Sequence, residues 1–145
     1  MTATDIPDFA LDHGSKGKVV VLDDGDGPTG MAFRPSGTNY ELHLAADGYD
    51  GPVGKLMRGM VRVRGRKVYN VPSGGNFIAP IVGEPRIVQG RVLAGDDRTL
   101  VVHAGCTVIV DLPRTPDAID LHGRAVEPGL MINVVCMPGA RLVSV

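Results

Sequence analysis

Glycine and proline interrupt this chain so often that it has little room for helix. Its 20 glycines and 11 prolines among 145 residues make up about a fifth of the chain, against roughly 12% in average usage. They are scattered rather than clustered, so they act as punctuation between short segments. Between them lie runs rich in Val, Ile, Leu and Thr, which predict strands at Lys18–Leu22, Asn39–Ala46, Leu56–Val63, Arg66–Val71, Arg86–Ala94, Thr99–Ala104, Cys106–Leu112, Met131–Met137 and Arg141–Val145. In "YELHL", Tyr40, Leu42 and Leu44 alternate with Glu41 and His43, the period-2 pattern of a half-buried strand. "GDDRT" (Gly95 to Thr99) and "MPGAR" (Met137 to Arg141) read as hairpin connections. The best helical candidate, Thr115 to Val126, has poor spacing of its apolar residues and is interrupted by Gly123, so it predicts at most one short helical turn.

About nine short strands with little or no helix imply an all-β fold, either a small antiparallel barrel (OB-like or related) or a sandwich. Gly59 and Gly90 inside strand segments favour the barrel, whose closure needs sharp bends. A chain of this length fits one domain and can bury roughly two-thirds of its unfolded surface, so it needs no disulfide or metal to hold a core. Met1 to Lys16 is polar, acidic and without periodicity, and reads as a flexible arm (1–16) ahead of a single β domain (17–145).

The net charge of −1 conceals a strong asymmetry. Met1 to Asp50 holds nine acidic and three basic residues, giving −6; Gly51 to Arg91 holds eight basic residues against Glu84 alone, giving +7; the remainder contributes −2. Such a basic middle meets either an external anion or the protein's own acidic segment, within the chain or across a subunit boundary.

The charge is densest in "MVRVRGRKVYNVPSGGNF", Met60 to Phe77. By strand parity Arg58, Arg62, Arg64 and Arg66 share one face, opposite Val61 and Val63. A single strand from Leu56 to Val71 would run about 53 Å at ~3.3 Å per residue, more than the roughly 40 Å diameter of a domain this size. Beyond Gly65 the parity also fails, because Val68 falls in phase with the arginines. A turn or bulge at Gly65 accounts for both, and gathers Arg62, Arg64, Arg66 and Lys67 around a hairpin tip or kink. The candidate ligand-binding set is therefore Arg58, Arg62, Arg64, Arg66, Lys67, Tyr69 as a stacking ring, and Asn76 at the end of a "SGGN" loop whose backbone N–H groups suit a phosphate. The competing reading is an edge hairpin whose charges prevent aggregation, or arginines that pair with the acidic first third. Only Tyr69 and Phe77 offer aromatic platforms near the arginines, and the pI of about 6.4 falls short of the usual nucleic-acid signature.

Other chemistry finds little support. "DDGDG" (Asp23 to Gly27) opens like a calcium loop but has Arg34 or Pro35 where a glutamate is required. His43, His103, Cys106 and His122 have no recognised zinc spacing, and no cofactor is implied. Cys106 and Cys136 read as buried thiols. No GxSxG elbow or P-loop ending is present, so an enzyme would need a dispersed site, with His43, His103 or His122 beside a carboxylate in a deep pocket. The start of the chain lacks a basic and then apolar leader, and no apolar run approaches a membrane span, so the expectation is a cytoplasmic protein with no membrane partner. These observations rank three functions: first, a non-catalytic, self-assembling module whose acidic arm reaches the basic hairpin of another copy; second, a binder of an anionic ligand or single-stranded nucleic acid; third, an enzyme.

Overall fold

The computed structural model describes residues 13–23 and 25–144. They form twelve strands: β1 (Ser15–Asp23), β2 (Pro28–Pro35), β3 (Glu41–Leu44), β4 (Leu56–Asn70), β5 (Phe77–Ala79), β6 (Val82–Gly83), β7 (Ile87–Gly95), β8 (Thr99–His103), β9 (Thr107–Asp111), β10 (Ile119–Asp120), β11 (Met131–Cys136) and β12 (Arg141–Ser144). A 3₁₀ turn at Pro116–Ala118 is the one short helical turn that the Thr115–Val126 spacing allows.

The fold is an all-β barrel. Strands β4, β9, β8, β7 and β11 close on themselves through the β11–β4 pairing, and β1, β2, β3 and β6 continue outward from the first half of β4. Most pairs are antiparallel, but β4 runs parallel to β9 and to β10, and β3 parallel to β6. The alternation sends Val61, Val63, Val68, Val88, Val92, Leu100, Val102, Val108, Val110, Ile132 and Val134 into one core, which Val19, Phe33, Leu42 and Leu44 of the outer strands join. A smaller cluster of Met60, Val101 and Ile109 is buried on the opposite face of β4, β9 and β8. At Gly90 an added Cβ would lie 2.1 Å from the His103 carbonyl oxygen. That close approach of β7 to β8 tolerates no side chain, in line with the glycine-in-strand reading.

Several expectations change. The strand at Leu56 does not turn at Gly65: β4 is continuous over 15 residues, so there is no basic hairpin tip. The bulge alternative is the one that holds. Val135 pairs with Lys67 and Cys136 with Gly65, which leaves Arg66 as the extra residue. A strand of this length fits because it hands over from partner to partner around the barrel. One edge meets β1, then β9, then β10, and the other meets β12, then β11. "MPGAR" is not a hairpin either, since β11 and β12 do not pair but lie one after the other along the same edge of β4. By contrast "GDDRT" does close a hairpin, with Asp96 Oδ1 accepting from the backbone N–H groups of Arg98 and Thr99 at 2.8 and 2.9 Å. Strand β1 begins at Ser15, two residues ahead of the expected domain edge, and the Thr107 N–H donates to Ser15 Oγ at 2.8 Å. The first twelve residues of the expected arm lie outside the described residues. Strands β2, β5, β6 and β10 were not foreseen.

Candidate anion-binding surface

Strand β4 positions every cation of the candidate set. Its burial alternates, with Met57, Val61 and Val63 facing the core and Arg58, Arg62 and Arg64 facing out. The bulge then exposes Arg66 and Lys67 consecutively before Val68 turns in and Tyr69 turns out. The cations are thus strung along the outside of β4 rather than gathered at a tip.

In the first half of the strand, the sheet adds cations that local sequence reading missed. Lys16 of β1 lies directly opposite Arg58, Arg141 of β12 opposite Arg62, and Lys18 of β1 opposite Arg34 of β2. Like charges directly opposite across strands repel. Carboxylates lie against Arg62 and Arg34, and Arg58 is engaged as well. Arg62 donates from Nε and Nη2 to the two oxygens of Asp111 at 2.7 and 2.6 Å, a bidentate pair about a third exposed; this bond raises the Arg62 pKa further. Arg34 donates from Nε and Nη2 to Glu41 Oε1 at 3.1 and 2.6 Å, while His43 Nε2 lies 3.0 Å from Glu41 Oε2. The bonds from His43 and then Arg34 hold the Glu41 carboxyl below its usual range. Arg64 donates to the Pro138 carbonyl at 2.9 Å.

The second half is different. Neither Arg66 nor Lys67 has a hydrogen bond or ion pair among the described residues. Tyr69 is 38% exposed, with Asn133 of β11 opposite it on one edge and Asp120 of β10 on the other. Ser73 to Asn76 of the "SGGN" loop are all exposed. The loop lies against Gln89 of β7, whose Nε2 donates to the Gly75 carbonyl at 2.9 Å, and a Cβ at Gly74 would lie 2.7 Å from that nitrogen. Asn76 is exposed at the end of the loop.

The histidines do not converge. His103 and His122 are exposed, and His122 contacts Asn70 Oδ1. His43 lines an open groove of about 620 Å³ together with Asp23, Thr29 and Glu84. Among the described residues no three His, Cys, Asp or Glu side chains are grouped to hold a metal. In the "DDGDG" turn, Asp23 Oδ1 accepts from the Gly25 and Gly27 N–H groups at 2.7 and 3.3 Å, as turn aspartates do. Burial pushes the thiols of Cys106 and Cys136 up to about 12, which leaves both protonated at neutral pH. No described helix is long and apolar enough to cross a membrane. Compared with protein-family models, curated proteins and solved structures, the chain has no significant match.

Proposed function

We propose that the protein is a non-catalytic assembly module, in which the basic face around the first half of β4 receives the acidic first segment of a second copy. The observation that carries this reading is the set of three like-charge pairs in register on one face, Lys18/Arg34, Lys16/Arg58 and Arg141/Arg62. Such a face gains stability from an opposing anionic surface. The chain carries a matching sequence, since residues 1–12 include Asp5, Asp8 and Asp12 and no Lys or Arg. In the sequence this segment ends two residues before β1, the strand that brings in Lys16 and Lys18. Cations spread over β2, β1, β4 and β12 suit an extended partner better than a small ion.

Absolute mass by light scattering tests the reading. The expected result is a defined oligomer at low salt that dissociates at high salt and on removal of residues 1–12, because exposed charge pairs are screened within about a Debye length of 8–10 Å at moderate ionic strength. A mass that responds to neither change contradicts it.

A further inference from the structure

The outer face at the far end of β4 carries a second arrangement, made of different residues. Across four neighbouring strands, Tyr69 (β4), Asn133 (β11), Gln89 (β7) and Phe77 (β5) stand in one register row. The two amides in the middle are buried, Asn133 at 6% and Gln89 at 8% exposure, while each ring at the ends is 38% exposed. Asn133 Nδ2 donates to Gln89 Oε1 at 2.9 Å, and Gln89 in turn holds the Gly75 carbonyl. Asn133 Oδ1 is left buried with no hydrogen-bond partner, which is costly for a polar atom unless a donor arrives. Immediately along the strand from Tyr69, the bulge presents Arg66 and Lys67, neither of which meets an acceptor among the described residues.

We propose that this end of β4 binds single-stranded nucleic acid. A base stacks on the Tyr69 ring, its N–H edge donates to Asn133 Oδ1, and Arg66 and Lys67 take the adjoining phosphate. Phe77 takes a further base. Tyr69 and Phe77 are three strand spacings apart, roughly 14 Å, too wide to hold one base between them, so a strand uses both rings where a free nucleotide uses one. Asp120, opposite Tyr69 on the other edge, accepts from the His122 N–H at 3.0 Å and places the phosphate on the Lys67 side. The loop over the amides consists of exposed residues from Pro72 to Asn76. Its ties among the described residues are the Gln89–Gly75 bond and the Val71 N–H to the Met131 carbonyl at its start, and on this proposal a base reaches Asn133 Oδ1 by displacing the loop from Gln89.

The test is fluorescence anisotropy of a labelled oligothymidylate with the full chain at low salt, with adenosine monophosphate titrated separately by calorimetry. Saturable binding is expected. It should weaken about tenfold in Tyr69→Ala, within the roughly 5- to 150-fold range that loss of one stacked base spans. Phe77→Ala should weaken the oligonucleotide and leave the mononucleotide unchanged. Arg66→Gln combined with Lys67→Gln should flatten the salt dependence by about 1.4 in log–log slope. Tyr69→Leu, which keeps an apolar side chain at the position, guards against misfolding and should weaken binding as well. The proposal is overturned by absence of saturable binding, by Tyr69 variants that bind like the parent, by a mononucleotide that binds as tightly as the oligonucleotide, or by an Arg58→Gln variant that loses as much as Lys67→Gln.

Discussion

From Leu56 to Arg64, strand β4 carries its arginines among neighbours that engage them: Arg62 forks onto Asp111, Arg64 reaches the Pro138 carbonyl, and β1 and β12 bring further cations alongside. From Gly65 to Asn70 the same strand carries an arginine and a lysine with no acceptor among the described residues, beside an aromatic ring and a buried amide lacking a donor. One backbone feature separates the halves. The extra residue at Arg66 shifts the register against β11, turning two consecutive cations outward where plain alternation would have sent one inward. The lesson is that a charge run has no single meaning along a strand; what each cation does depends on which neighbouring strand the sheet places beside it.

The comparison can be broken in several ways, and the largest effect concerns what the halves share. Val61 and Val68 lie on either side of the bulge but in one core, so Val61→Ala and Val68→Ala should each cost about 2 kcal/mol in urea unfolding. A much smaller cost in one half would mean the core is not continuous beneath β4. Next in size, Asp111→Ala should destabilise by about 1–2 kcal/mol, because it strips a partly buried guanidinium of both its hydrogen bonds. Arg66→Gln and Lys67→Gln should each stay within about 0.5 kcal/mol of the parent, as surface changes without partners do. Equal losses in both halves would erase the distinction.

Acid provides a subtler probe. The folded pKa of Glu41 is depressed below 4.5 by its bonds from His43 and Arg34. For a depressed carboxyl the stabilisation is fully present above the unfolded value and is lost as pH falls through the folded one. Stability should therefore begin to decline below about pH 4.5, and Glu41→Gln should remove part of that decline in a series of thermal melts. An unchanged acid limb in the variant would show that the Arg34–Glu41–His43 chain contributes nothing to the face it borders.

Much of the fold was legible because the strands obey simple alternation. Eight of the strands lie where Val, Ile, Leu and Thr cluster between breakers, and the Asp96 turn announces its hairpin. Strand β2 was hidden because Pro28, Gly30 and Pro35 look like loop punctuation, although β2 pairs on both edges. The continuity of β4 was hidden for a physical reason: a length argument for a straight strand with fixed partners does not apply to one that changes partners around a closed barrel. Within the site, the outward face of Arg58, Arg62 and Arg64 followed from parity alone. Lys16, Lys18, Arg141 and Asp111 did not, since only strand order brings them to β4. Gln89 and Asn133 did leave a sequence signal, each a polar residue within an apolar strand, but their mutual contact spans 44 positions.

The most direct test of the central claim is absolute mass in solution for two charge reversals, one in each half. One variant combines Arg58→Glu with Arg141→Glu, the other Arg66→Glu with Lys67→Glu. At low salt the first should fall to the 15.3 kDa of a single chain while the second keeps the parent's larger mass. A parent that is itself a monomer, or two variants that behave alike, would contradict it.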